Sequence, residues 1–257
     1  MVKSLDLTGR VAVVIGGTSG IGRTLALGLA DAGADVVASG RRENLVKEVT
    51  AEIEATGRRS LNVAVDVLDR ASVDRFRDAV MKHFGHVDIL LNAAGKIARK
   101  PTKDFPEAEW QETFDVNVTG ALRTCQAFYE PLKASGHGRI INIVSLNSYV
   151  SLREVAAYAA SKSALLGLTR SLAVEWATEG INVNAIAPGV FRTDLNKNLL
   201  DSTDRGKELL MRTPMKRFGQ TGELNGAAIL LASDAASFIT GQCIVVDGGF
   251  LASGVNS

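Results

Sequence analysis

Cysteine is nearly missing from this chain of 257 residues, which has only Cys125 and Cys243. The two stand far apart in unrelated stretches, so there is no disulfide framework, and both read as small buried side chains. Histidine is almost as sparse. His83, His86 and His137 form no metal-ligating set with a cysteine or carboxylate cluster. An excess of one charge is also absent: 29 Lys and Arg against 28 Asp and Glu leave a net charge of +1. With no basic run either, the electrostatic footprint of a nucleic-acid binder is missing. No apolar run approaches membrane-spanning length, and the opening Met1 to Leu5 is no signal peptide. These absences leave a cytoplasmic protein that acts on a small molecule, with no nucleic-acid or membrane partner expected. Linkers, internal repeats and low-complexity tracts are lacking as well, so residues 1–257 are expected to form one domain.

What is present is alternation. Short apolar runs rich in Val and Ile trade places with helical patterns along the whole chain, and 46% of its residues are hydrophobic. That pattern predicts an α/β fold with a doubly wound parallel sheet flanked by helices on both faces. Seven strands are expected, beginning near residues 10, 35, 60, 87, 138, 181 and 243. Arg10 to Ile15 runs into a glycine turn carrying Gly16, Thr18, Ser19, Gly20, Ile21 and Gly22, and then into an Ala/Leu-rich helix. A strand, a glycine turn and a helix in that order cradle a phosphate: glycines admit close backbone approach, and the helix start offers free N–H groups. In such a dinucleotide fold, the end of the second strand meets the adenosine ribose. Here that end reads Ser39-Gly40-Arg41-Arg42, with no carboxylate to grip a free 2′-hydroxyl. Arginine suits a 2′-phosphate. The reading therefore favours NADP(H), with NAD(H) possible, Arg41 as the phosphate ligand and Ser39 and Thr18 as hydroxyl donors beside it. Asp66, at the end of the third expected strand, is placed for the adenine amino group or as the N-cap of the next helix.

Further along, Asn92-Ala93-Ala94-Gly95 is a bend of small residues. A long helix is expected from about Glu107 to Ser135, with Asn117 inside it, either as a satisfied core asparagine or as the holder of a bound water. Ser145 closes the strand that starts at Gly138. Tyr158 and Lys162 lie four apart in an apolar helix running to about Ala177, so they share one face. Two charges about 4 Å apart at an effective dielectric near 20 interact by about 4 kcal/mol. The expectation is therefore that Lys162 lowers the Tyr158 pKa and makes the phenol an acid/base near neutral pH. Tyr129 and Lys133 share the spacing, but no strand and serine precede them and Pro131 interrupts the pair. Residues 189–219 have weak periodicity and mixed charge, as a substrate lid would.

Taken together, these motifs resemble the short-chain dehydrogenase/reductase family over nearly the whole chain. Gly16, Gly20 and Gly22 match its glycine loop, with Ile15 where a threonine is usual. Asn92, Ala94 and Gly95 match its N-N-A-G segment, with Ala93 in place of the second Asn. Asn117, Ser145, Tyr158 and Lys162 match its catalytic tetrad in order and spacing. Pro188, Gly189 and Thr193 match the segment that holds the nicotinamide carboxamide, with Val190 inside it. The resemblance implies that Tyr158 exchanges a proton with a carbonyl or alcohol while Ser145 bonds the same oxygen. Lys162 would hold the nicotinamide ribose, and Asn117 a water linking Lys162 to solvent. Dinucleotide contacts would also come from Asp66, Val67 and the 92–95 bend. A homotetramer is implied, and the stripe Leu165, Leu168, Leu172 and Trp176 suits either that pairing or the monomer core. A finer resemblance, to gluconate 5-dehydrogenases and related sugar-acid and polyol dehydrogenases, rests on residues 101–106, Trp110 and the tail 249–255. Arg99, Lys100, Lys103, Arg153, Arg192 and Lys197 lie on segments that could rim the site and meet a carboxylate. A 3-oxoacyl carrier-protein reductase is the alternative enzyme, though Val174 stands where such proteins tend to carry an arginine. A dinucleotide-binding sensor or scaffold without catalysis is the alternative of another class.

Overall fold

The computed structural model describes residues 3–193, 197–201 and 203–254. Strand β1 (Val11–Ile15) is buried at every residue and feeds helix α1 (Gly20–Asp31). β2 (Asp35–Ser39) and α2 (Glu43–Ala55) repeat the unit. α3 (Arg70–Phe84) starts where the Asp69 carboxylate accepts from the Ala71 N–H at 2.9 Å, and stops at Gly85, whose φ of 82° is left-handed. β3 (Ile89–Asn92) follows. Then come α4 (Glu107–Phe114), α5 (Gly120–Ala127) and α6 (Tyr129–Ser135). β4 (Gly138–Ile143), α7 (Ala156–Trp176) and β5 (Ile181–Pro188) lead to α8 (Lys197–Leu200) and α9 (Asp204–Arg212). α10 (Asn225–Ala232) and β6 (Cys243–Val246) complete the chain.

All strands are parallel, in the order β2-β1-β3-β4-β5-β6. Alternate residues feed the two faces. Ala12, Val14, Val36, Ala38, Ile89, Leu91 and Ile141 pack under α1, α2 and α10. Val11, Val13, Val37, Leu90, Ile140 and Val183 pack under α3, α5, α6 and α7, where Phe76 meets Phe128 edge-on at 6.0 Å. Because both faces are covered, the strands read as unbroken apolar runs.

The sheet has six strands, not seven. The expected strand at residues 60–65 runs along the free edge of β2 but forms no regular ladder. Two of its links are serine hydroxyls in place of backbone N–H groups: Ser60 Oγ donates to the Val36 carbonyl at 2.7 Å, and Ser39 Oγ to the Val63 carbonyl at 2.6 Å. Backbone bonds from Val36 N to Arg59 O (3.0 Å) and from Val65 N to Gly40 O (3.1 Å) hold the ends. The expected helix from 107 to 135 is also interrupted. Residues Asp115–Thr119 are π-helical, and Phe128, at φ −96° and ψ 5°, separates α5 from α6. A π turn widens a helix by one residue and changes where its side chains point. The residue so redirected is Asn117, which is 1% exposed.

Candidate active site

The loops at the carboxyl ends of the parallel strands bring the expected residues together, where open α/β sheets bind ligands. Gly16 has a φ of +79°, and a Cβ there would lie 2.5 Å from the Ala94 nitrogen. A Cβ at Gly22 would lie 2.1 Å from the Gly16 carbonyl oxygen. These two glycines therefore let the β1–α1 turn nest against the 92–95 bend. Gly20 differs: at φ +52° it has open space where a Cβ would stand. Ser19 is the N-cap of α1, yet its side chain caps nothing, which leaves the first N–H groups of the helix free for an anion. The Gly16 and Gly17 N–H groups are not free, since both donate to the Ser39 carbonyl, at 2.8 and 3.0 Å.

Other expected dinucleotide contacts hold different partners. Ser39 is fully buried and its hydroxyl is engaged by Val63, so it is no donor to a 2′-phosphate. Thr18 is 8% exposed and lies against Gly40, where a Cβ would meet its Oγ1 at 3.1 Å. Arg41 is exposed and makes no hydrogen bond or ion pair among the described residues. Arg42, at the N-cap of α2, donates to Ser19 Oγ at 3.2 Å. Asp66 is not the N-cap of α3, a place Asp69 takes; its carboxylate accepts from Leu68 N at 3.0 Å. Val67 turns its side chain toward Gly120 and its carbonyl toward Arg123 (2.9 Å). The Asn92 side chain faces inward, donating to Asn142 Oδ1 at 2.9 Å and accepting from Thr124 Oγ1 at 2.8 Å. Gly189 must be glycine, because a Cβ would lie 2.6 Å from the Asp247 Cα. The N–H of Gly219 donates to the Val190 carbonyl at 3.0 Å.

Ser145 lies two residues beyond β4 and begins a 3-10 turn at Leu146–Ser148, its Oγ accepting from Asn147 N at 3.1 Å. The Ser145 hydroxyl also approaches the Tyr158 hydroxyl, which comes from the first turn of α7. Lys162, one turn later and 4% exposed, donates from Nζ to the Ile143 carbonyl at 2.7 Å. Asn117 Oδ1 accepts from Lys96 N at 2.7 Å, and its Nδ2 donates to Lys96 O and to Ser161 Oγ, both at 2.9 Å. Asn117 Oδ1 and Lys162 Nζ flank Gly95, lying 3.6 and 3.5 Å from where its Cβ would be.

The expected charge effect on Tyr158 is not found. Its pKa is raised above 10, because burial outweighs the hydrogen bond from Ser145. The Lys162 Nζ stands 5.8 Å from the phenol ring centre and is tied to Ile143. Burial also weakens the Lys162 charge itself, lowering its pKa from 10.5 to about 8. In this state the tyrosine is a protonated donor. A group whose folded pKa lies below its unfolded value binds fewer protons when folded between the two, so stability rises with pH there. Lys162→Met should therefore flatten the rise in thermal midpoint between about pH 8 and 10.5. An unchanged slope in a pH series of melting curves would overturn this.

The decoy pair is a surface feature. Tyr129 bonds Glu179, which also pairs with Lys133, and its ring packs on Trp176 at 5.0 Å. Three of the expected rim cations are paired: Arg99 with Glu154 at 2.8 Å, Lys100 with Glu109, and Arg192 with Asp201. Of residues 189–219, residues 194–196 and 202 lie outside the described residues; the described ones carry α8 and α9, whose Leu200 and Leu209 pack with Leu146 and Phe250 at the Ser145 turn. In the α7 stripe, Leu165 and Leu172 are buried and Leu168 and Trp176 are partly buried against the core, while Val174, outside the stripe, is 81% exposed. Sequence reasoning missed Glu154, Ser161 and Asn147. Glu154 has φ 67° and takes the Lys100 N–H on its carbonyl at 2.9 Å, joining the 96–101 loop to the Ser145–Tyr158 loop. Only Ser161 had a signal, its place beside Lys162. Among the described residues no His, Cys, Asp and Glu group could hold a metal ion, and no helix is long and apolar enough to cross a membrane.

Comparison with known proteins adds four findings. A family model described as enoyl-(acyl carrier protein) reductase matches residues 15–251. The 2-dehydro-3-deoxy-D-gluconate 5-dehydrogenase of Dickeya dadantii (strain 3937) is 40% identical over 255 residues, covering 98% of this chain and 99% of its own. The gluconate 5-dehydrogenase of Gluconobacter oxydans (strain 621H) is 37% identical over 248 residues, covering 96% and 97%. The crystal structure of a gluconate 5-dehydrogenase from Burkholderia cenocepacia J2315, in complex with NADP and tartrate, superposes with a TM-score of 0.94. It is 39% identical and covers 98% of each chain.

Proposed function

This chain belongs to the short-chain dehydrogenase/reductase family, and we propose that it oxidises or forms a secondary alcohol of a sugar acid, polyol or related keto compound, using NADP(H) in preference to NAD(H). The convergence of the Ser145 and Tyr158 hydroxyls, with Lys162 beneath them, is the observation that carries the reading. The dinucleotide fits the residues present: the uncapped start of α1 suits its pyrophosphate, and the open space at Gly20 admits its close approach. Bound nicotinamide supplies the hydride donor or acceptor. Tyr158 gives its proton to the substrate oxygen in reduction, and Ser145 donates a second hydrogen bond to that oxygen. Lys162, held at Ile143, presents its amine to the ribose side of the site. Asn117 Oδ1 has a second lone pair for a water beside Lys162.

The substrate class rests on the named relatives, which act on gluconate and a dehydro-deoxy-gluconate. A spectrophotometric screen of sugar acids, polyols and oxo-esters with both cofactors tests it. Turnover of sugar acids or polyols with NADP(H) is expected; a preference for oxo-esters would overturn the substrate class. Residues 189–219 are proposed as the lid over this site, because α8 and α9 rest on the residue that follows Ser145. Amide hydrogens of α9 should exchange fast in the free protein and slowly in the ternary complex. Equal protection in both states would count against closure.

A further inference from the structure

The turn that follows Ser145 holds polar atoms with nothing to bond. Asn147 is 7% exposed, and its Nδ2 has no hydrogen-bond partner. The neighbouring Ser148 Oγ is in the same condition. Only Thr50 Oγ1 and Asn225 Oδ1 share it among the described residues, so half of these unsatisfied buried atoms fall in a single turn of three residues. Buried polar groups in folded proteins are nearly always paired, and one left open is explained by strain, a missing partner or a functional role. An apolar side chain of the same shape would fill this space without leaving a donor unmade.

The position of the turn says what the partner is. The Asn147 backbone nitrogen already sits 3.1 Å from Ser145 Oγ, the hydroxyl beside that of Tyr158. Its carboxamide thus starts one hydrogen bond away from where a reacting oxygen is held. Successive side chains in a 3-10 turn point about 120° apart. Leu146 takes the direction toward Leu200, Leu209 and Phe250, so the Asn147 side chain points about 120° away from that apolar cluster. A neutral amide donor beside the reacting oxygen matches a second neutral oxygen on the adjacent carbon, since vicinal oxygens lie within hydrogen-bond range of each other.

We propose that Asn147 is a specificity-determining residue whose carboxamide donates a hydrogen bond to the substrate hydroxyl on the carbon next to the reacting one. The site then selects vicinal hydroxyl compounds over simple secondary alcohols. This rests on the sugar-acid and polyol reading above and names the feature of that class which is recognised. A site built to bond a substrate hydroxyl rejects the analogue lacking it, because its own buried group is then left unpaired.

The test uses Asn147→Leu and Asn147→Asp, with two readouts. The first is kcat/KM for whichever polyol or sugar acid wild type turns over, against the analogue deoxygenated at the adjacent carbon. Both variants should lower the preference for the hydroxylated compound by about 10-fold or more. The second is the thermal midpoint of Asn147→Leu without ligands, which should be unchanged or higher, because an unmade donor has been removed. A midpoint lowered by about 4 °C or more would assign Asn147 a structural role and overturn the inference. So would a preference kept at the wild-type value while wild type turns over the polyol. Wild type inert toward every sugar acid and polyol overturns the substrate class itself, a distinct failure visible before any variant is made.

Discussion

Tyr158→Phe should lower kcat by on the order of 10² or more while NADP(H) binds as tightly as before. The substitution removes one hydroxyl and keeps the ring. The Tyr158 backbone is held independently, its carbonyl accepting from Ser161 Oγ at 2.8 Å, and Ser161 is in turn held by Asn117. The helix start and Lys162 should therefore stay in place, and what is lost is the proton. Burial keeps that phenol protonated, so in the reductive direction no other side chain replaces it: Ser145 is a weaker acid, and Lys162 is tied to Ile143. Tyr129→Phe is the control. Its hydroxyl meets Glu179 on the surface of α6, and the variant should keep kcat within about two-fold. Turnover by Tyr158→Phe within a few-fold of wild type would remove the tyrosine from the mechanism.

Arg41→Ala should reduce kcat/KM for NADP(H) by roughly 10- to 150-fold and leave NAD(H) nearly untouched, as expected for one charge-assisted contact of about 1.5–3 kcal/mol. Arg41 stands exposed at the end of β2, without a partner among the described residues. Its charge is available to a phosphate, and its loss disturbs no internal bond. Arg42 supplies the comparison. It stands at the N-cap position of α2 and reaches Ser19 at 3.2 Å on the α1 turn, so Arg42→Ala should loosen both cofactors together. Steady-state kinetics with each cofactor separate the two cases. Equal loss on both cofactors in Arg41→Ala would mean that its side chain only stacks on the adenine.

Much of the fold was legible because its signals are local. An apolar run beside a glycine turn is a strand feeding a helix whatever lies elsewhere, and β1, β2, β4, β5 and β6 began within about a residue of where the sequence placed them. The third expected strand failed because its links to β2 use the side chains of Ser39 and Ser60, which propensity does not weigh. The long helix failed at Asp115–Thr119 because a π turn leaves no mark in apolar periodicity. Asp66 read as a possible cap of the next helix, and the backbone geometry gave that place to Asp69 three residues on.

The sequence by itself determined where the candidate residues of this site stand along the chain. Tyr158 and Lys162 are one helical turn apart, Ser145 closes a strand, and the glycines sit between strand and helix; each relation is fixed by chain geometry over a few residues. Tertiary structure decided what those residues are free to do. Ser39 and Asn92 have their polar groups engaged by Val63 and Asn142, partners 24 and 50 positions away. The phenol of Tyr158 is raised rather than lowered in pKa, because burial acts on both it and Lys162 and because Ile143 holds the amine. Burial and hydrogen-bond occupancy depend on neighbours distant in the chain, so no local spacing records them.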